Sequence, residues 1–252
     1  MRSVLVTGGG RGIGRAIAIA LAAPDTLVIV ASRTPAELDR TAAEVRSRGA
    51  EALPVVMDVA DPESVTGGCS TAARHTSAID VLVNNAGVGG GERVEGSNIT
   101  GWKRILDTNL LGTYLVCRSA IPMMREGGRI VNLSSVLGRF GVAGYTAYCA
   151  SKHGVIGLTR ALALELAGRD ITVNAICPGW VDTEMARQGM EAGAHGLGVD
   201  VERFRAKALS GVPIKRIIQP EEVAELVKFL ASPAAAAITG QTYNICGGQS
   251  MD

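Results

Sequence analysis

The chain predicts a doubly wound α/β fold built on a parallel sheet, and three observations support that expectation. Short apolar, β-branched runs of about five residues recur along its length, helix-length segments separate them, and a glycine-rich turn joins the first run to an alanine-rich stretch. Runs apolar on both faces are strands covered on both sides. Helix-length connections between such strands make right-handed crossovers and hence parallel pairing.

The runs, in order, are "SVLVTG", "TLVIVAS", "ALPVVMDV", "IDVLVNNAG", "GRIVNLSS" and "ITVNAICPG", with "QTYNICGG" closing the series. The first leads into "GGGRGIGRAIAIALA", in which glycine allows a tight turn before a helix. Ahead of the sixth, "GYTAYCASKHG" introduces a long helical stretch. Residues 184–212 interrupt the alternation with glycines, methionines and charges, and read as a flexible cover. Neither a linker, a repeat nor a low-complexity stretch divides the chain, so residues 1–252 are expected to form a single domain with 184–212 as its substrate cover.

Composition narrows the function. The chain is 47% hydrophobic but only 4% aromatic, with 32 glycines among 252 residues, which suits helices packed closely on a sheet. A net charge of +1 without a basic run offers no phosphate-neutralising patch, so nucleic acid is not expected as a partner. The start enters a strand directly, without the pattern of a signal peptide, and no apolar run reaches membrane-spanning length, so a cytoplasmic protein is expected. Cys69, Cys117, Cys149, Cys177 and Cys246 are scattered, odd in number and lack a C-x-x-C pair; His75, His153 and His195 are isolated. Neither a disulfide frame nor a metal site is expected.

Two local patterns carry chemistry. Gly8, Gly12 and Gly14 lie between a strand and a helix, where a pyrophosphate can approach backbone N–H groups at the helix N-terminus; this is a Rossmann-type dinucleotide turn. A carboxylate about 20 residues on would hold the ribose 2′-hydroxyl of NAD. Here the second strand instead ends in Ser32 and Arg33, and Arg11 sits in the glycine turn, a combination that suits the 2′-phosphate of NADP(H). Tyr148 and Lys152 form the second pattern. At i and i+4 of a helix they share a face, whereas Tyr145 does not. A cation about 4 Å from a phenol contributes up to roughly 4 kcal/mol at an effective dielectric of 20, equivalent to about three pK units.

Taken together, these residues resemble the short-chain dehydrogenase/reductase family over essentially the whole chain. The T-G-x-x-x-G-x-G pattern appears as Thr7, Gly8, Gly12 and Gly14; N-N-A-G as Asn84 to Gly87; Y-x-x-x-K as Tyr148 and Lys152. Ser135 stands thirteen residues before the tyrosine, Asn109 occurs in "LDTNLLG", and "ICPGWVDTEM" matches the segment along the nicotinamide. The resemblance implies that Tyr148 is the general acid of carbonyl reduction and that Lys152 holds the nicotinamide ribose and lowers the tyrosine pKa. It implies that Ser135 bonds the substrate oxygen and that Asn109 holds a proton-relay water. For the cofactor it implies Gly8, Arg11, Gly12 and Ile13 at the phosphates, Ser32 and Arg33 at the 2′-phosphate, and Asp58 with Val59 at the adenine. Asn85, Ala86 and Gly87 would line the adenosine ribose side, and Pro178, Gly179, Val181 and Thr183 the nicotinamide end. Asn84 is expected to brace the sheet, and Ser134 to point away from Ser135.

Two features depart from the pattern. "LAAPDTLVIV" carries a proline that could shift Ser32 and Arg33, and "GVGGGERVEG" sets three glycines beside the active site, where they would clear space near Ser135. The second resembles a segment of polyketide ketoreductases, and ketoacyl-thioester reductases less closely. An NADP(H)-dependent ketoreductase acting on a β-keto acyl or polyketide-like thioester is therefore expected. Its alternatives are an NAD(P)-dependent secondary-alcohol dehydrogenase on a cyclic or aromatic alcohol, and a non-catalytic dinucleotide-binding sensor. Met185, Met190, His195 and Phe204 on the cover could meet a bulky ligand or simply pack it down. Arg187, Arg203, Arg205 and Lys207 could receive an acyl carrier protein. Helices around "ILDTNLLGTYLVC" and "ASKHGVIGLTRALALEL" are apolar on more than one face, which, with the resemblance, points to a homotetramer.

Overall fold

Seven apolar runs become seven strands in the computed structural model, which describes residues 1–91 and 93–251. Glu92, within the glycine-run segment, and Asp252 lie outside the described residues. The strands are β1 (Arg2–Thr7), β2 (Thr26–Ser32), β3 (Glu51–Val56), β4 (Ile79–Asn84), β5 (Met124–Leu133), β6 (Thr172–Pro178) and β7 (Thr242–Ile245). They pair in the order β3-β2-β1-β4-β5-β6-β7, every pair parallel. This is the doubly wound, Rossmann-type architecture. The chain runs outward from β1 in one direction and then returns to begin again at β4, so a crevice opens between the ends of these two strands.

Side-chain alternation along each strand builds a core on both faces. Leu5, Ile29, Leu82 and Ile130 face helices α3 (Pro62–Ala73), α5 (Gly112–Ala120) and α6 (Thr146–Leu166). Val4, Val6, Val81, Val83 and Val131 face α1 (Gly12–Ala20) and α9 (Pro220–Leu230). Each fully buried aliphatic contributes on the order of 1.5–3 kcal/mol relative to exposure. The remaining helices are α2 (Pro35–Ser47), α4 (Ile99–Leu106), α7 (Glu184–Leu197) and α8 (Val201–Ser210). Four of the five cysteines are buried, and burial pushes the thiols of Cys69 and Cys117 up to about 11 and about 12. Among the described residues no cluster could hold a metal ion and no helix is long and apolar enough to cross a membrane.

Pro24 does not displace the end of β2. It lies in the preceding turn, where Asp25 takes a left-handed φ of 62°. The β1–β2 register then runs unbroken from Arg2↔Thr26 to Thr7↔Ala31. Residues 184–212 are ordered into two helices. Gly198 (φ 64°) ends α7, and Asp200 Oδ1 accepts from Arg203 N at 2.8 Å to start α8. A β-carbon on Gly193 would lie 2.4 Å from the Phe204 ring, so glycine lets that ring bind the two helices together.

Candidate active site

Between α4 and α5 the helix widens into a π turn, Asp107–Leu111, with Asn109 at its centre. Such turns insert an extra residue and re-aim the side chains around it. Asn109 is fully buried: its Oδ1 accepts from Val88 N at 2.8 Å, and its Nδ2 donates to Val88 O (3.0 Å) and Ser151 Oγ (3.2 Å). The side chain thus clamps the loop after β4 onto α6 and has little left to offer a water. What Asn109 can offer is its main-chain carbonyl, which accepts from Thr113 Oγ1 at 2.8 Å and retains a second lone pair.

Tyr148 and Lys152 lie in the first two turns of α6. The Lys152 ammonium is 5.7 Å from the Tyr148 ring centroid, and its Nζ donates to Leu133 O at 2.9 Å. Ser135 follows β5 and starts a 3₁₀ turn, its Oγ accepting from Leu137 N at 3.1 Å, which leaves its O–H as a donor. Ser135 also hydrogen-bonds the Tyr148 phenol. Ser134 points elsewhere and donates to Lys152 O at 2.8 Å, latching β5 to α6. The Tyr145 ring packs against Gly91, where a β-carbon would come within 3.1 Å of it.

Desolvation dominates the electrostatics here, and this differs from the sequence expectation for the phenol. Burial pushes Tyr148 up to about 12, with the Ser135 hydrogen bond opposing. Burial pulls Lys152 down to about 8. Each group is moved toward its neutral form because low-dielectric surroundings penalise charge, and a lysine that is itself partly neutral depresses the phenol little. The phenol therefore carries its proton throughout the neutral range.

One cleft of about 280 Å³ lies at the crevice. Tyr148 and Lys152 line it together with every residue expected at the cofactor except Gly179 and Val181, whereas Asn109 and Ser135 are not in its lining. The residues fit a dinucleotide. A β-carbon on Gly14 would sit 2.1 Å from Gly8 O, and one on Gly8 would sit 2.8 Å from the Ala86 α-carbon, so the loop closes only without side chains. Gly12, at φ 52°, opens α1, whose first turn holds no acidic residue. Ser32 Oγ is buried without a partner, a hydroxyl suited to an anion. The parallel bridge between Val181 and Ile218 uses the N–H groups of Ile218 and Asp182 and leaves that of Val181 outside it. Asn85 is committed to the scaffold: its Nδ2 donates to Thr7 O and Gly8 O at 3.0 and 3.1 Å. Asn84 braces the sheet as expected, donating to Asn132 Oδ1 at 2.8 Å.

The expectation of two guanidiniums without a carboxylate is not what the fold delivers. Glu37, in the first turn of α2, stands 3.7 Å from Arg11, and Asp58 stands 3.8 Å from Arg33. Glu37 lines the cleft, as do Thr34, Glu184 and Met185. Sequence reading missed Glu37 because the third position of a helix beginning Thr-Pro-Ala-Glu ordinarily serves a capping box. Glu222 does that in α9, accepting from Gln219 N at 2.8 Å, whereas Glu37 turns toward the glycine loop.

The glycine run does not clear space beside Ser135. Gly89 meets Met185 of α7 (3.3 Å from a built β-carbon) and Gly91 meets Tyr145, so the missing side chains admit these two neighbours. Of the four cover residues considered, Met185 alone lines the cleft; Met190 is buried, Phe204 packs on Gly193, and His195 is exposed. Arg187 is bound to Glu184 and Glu191 of its own helix.

Residues 8–250 match the family described as enoyl-(acyl carrier protein) reductase. The chain is 40% identical to the 3-oxoacyl-[acyl-carrier-protein] reductase of Synechocystis sp. over 98% of its own length and 96% of that protein. Among solved structures it is similar to a variant of actinorhodin polyketide ketoreductase with NADPH, at 40% identity and a TM-score of 0.94, covering 98% of this chain and 97% of that one. An NAD⁺-bound xylitol dehydrogenase matches at 33% identity and a TM-score of 0.93, with 98% of each chain covered.

Proposed function

The chain belongs to the short-chain dehydrogenase/reductase family, and from that premise we propose that it is an NADP(H)-dependent ketoreductase acting on a β-keto acyl or polyketide-like thioester. One observation carries the reading: Tyr148 and Lys152 line the cleft together, with Ser135 hydrogen-bonded to the Tyr148 phenol, which is held protonated. When bound, the dinucleotide supplies the hydride that reaches the carbonyl carbon. Ser135 donates its O–H to the carbonyl oxygen. Tyr148 gives that oxygen its phenolic proton, so the ketone becomes a secondary alcohol and a phenolate remains. The Lys152 cation stabilises the phenolate and holds the nicotinamide ribose. A water on the Asn109 carbonyl returns the proton from solvent.

The glycine turn with Gly8, Arg11, Gly12 and Ile13 would hold the pyrophosphate, Ser32 and Arg33 the 2′-phosphate, and Asp58 and Val59 the adenine. Ala86 and Gly87 would face the ribose over a floor set by Asn85, and Pro178, Gly179, Val181 and Thr183 would face the nicotinamide. Helices α7 and α8 form the cover of a single catalytic domain, and Met185 is its contact with substrate. A carrier-bound substrate would meet Arg203 and Lys207, since Arg187 is engaged by Glu184 and Glu191 and Arg205 by Glu202. We place the enzyme in the cytoplasm as a homotetramer; the exposed Leu111, Tyr114 and Leu164 on the segment from α4 to α5 and on α6 support self-association.

The test is NADPH oxidation measured against ketoacyl thioesters, bicyclic ketones, simple aryl ketones and an enoyl thioester. The last belongs in the panel because the matched family's description names enoyl reduction. The reading expects the highest kcat/KM among the first two classes. Faster turnover of small unactivated ketones would shift the assignment to a secondary-alcohol dehydrogenase, and faster turnover of the enoyl thioester would overturn carbonyl reduction as the main activity.

A further inference from the structure

We propose that Glu37 is a cofactor-selectivity residue that offsets the arginines of the 2′-phosphate pocket and keeps NAD(H) usable alongside NADP(H). The inference rests on the dinucleotide reading above and deepens it. A β-carbon built on Gly10 would lie 3.0 Å from Ser32 Oγ and 3.3 Å from Glu37 Oε2, so the unpartnered hydroxyl and the carboxylate face one space. Arg11 stands 3.7 Å from Glu37, and its charge is also felt by Glu184 at the start of α7. Arg33 stands 3.8 Å from Asp58. Each guanidinium that would meet a 2′-phosphate thus already has a carboxylate beside it, and the pocket holds close to no net charge.

A phosphate entering this space must compete with Glu37 for Arg11 and is repelled by it. A ribose 2′-hydroxyl entering the same space finds an acceptor, which is the role a carboxylate takes in NAD sites. Gly10 of the loop lies against this residue, since a β-carbon on it would come within 2.9 Å of Glu37 Cβ. Both ion pairs are long and their arginines are more than half exposed, so they are weak and give way without a large cost. The pocket is accordingly permissive: either dinucleotide can enter, and Glu37 sets the balance.

Dissociation constants of NADP⁺ and NAD⁺ for the full-length protein, measured calorimetrically without substrate, test this directly. The wild-type constants should differ by no more than about tenfold. In Glu37→Gln, NADP⁺ should bind about five- to tenfold more tightly and NAD⁺ about three- to tenfold more weakly, amounts typical of one charge or charge-assisted hydrogen bond at a partly exposed site. Thermal melting of Glu37→Gln alongside the wild type checks that the fold is kept, and Asp39→Asn, an exposed change on the same helix, should leave both constants unchanged. If Glu37→Gln shifts both constants together, leaves both alone, or weakens NADP⁺, Glu37 does not discriminate between the cofactors. A wild type that binds neither dinucleotide would overturn the functional reading itself, and this inference with it.

Discussion

The two ends of the cleft solve opposite problems. At the catalytic end Asn109, Ser135 and Lys152 are buried, and their side chains bond main-chain atoms of Val88, Leu137 and Leu133 and the side chains of Ser151 and Tyr148. At the adenosine end Arg11 and Arg33 are more than half exposed and face Glu37 and Asp58 across 3.7 and 3.8 Å. Burial makes each catalytic group expensive to misplace, so geometry there is fixed and pKa values are far from ordinary. Exposure makes the adenosine end inexpensive to alter, so its specificity rests on a balance of weak pairs that one substitution can move.

The largest effect should come from the buried end. Tyr148→Phe removes the proton donor and should lower turnover by about 10²- to 10⁴-fold, with cofactor binding retained. Tyr145→Phe, which alters a ring packed on Gly91, should change turnover far less; the reverse ranking in steady-state kinetics would exchange the two roles.

Asn109→Ala should sharpen the contrast through stability. It strips partners from Val88 N–H and Val88 C=O, while the Ser151 hydroxyl keeps its bond to Tyr148 O; at about 1–3 kcal/mol for each group left unsatisfied, the loss is measurable by chemical denaturation. A variant as stable as the wild type would show that the π turn, not its side chain, holds the loop.

A pH profile separates the two groups of α6. The folded-state pKa of Lys152 is depressed to about 8, and the cation is what stabilises the phenolate formed during reduction. The cation is present below that value and lost above it. Ketone-reduction kcat/KM should therefore be flat near pH 7 and fall by up to about tenfold per unit above pH 8, while Tyr148, near 12, remains protonated. A plateau extending to pH 10 would mean that Lys152 keeps its charge.

The smallest effect belongs to the exposed end. Arg33→Ala should weaken NADP⁺ by only about fivefold, because Asp58 already offsets its charge and solvent screens the remainder, and NAD⁺ should hardly change. A loss of a hundredfold or more would place Arg33 in a desolvated, bidentate phosphate contact and break the comparison.

Much of this was legible in the chain. Strand identity and order along the sequence follow from apolar runs, because a parallel strand covered on both faces is mostly apolar and its few buried polar residues, such as Asn84 and Asn132, must find partners inside. The glycine loop follows from turns that no side chain could enter. The pairing of Tyr148 with Lys152 follows from helical periodicity alone. Contacts between segments distant in sequence were decided elsewhere. Only the folded chain brings Glu37 beside Arg11, Met185 beside Gly89 and Asn109 against Val88, because these meetings depend on helix packing, a π turn and side-chain rotation that leave no periodic trace. The same holds for the pKa values. A sequence shows that a lysine lies one turn from a tyrosine, but how much water surrounds them depends on tertiary burial, and desolvation here outweighs the pair's attraction.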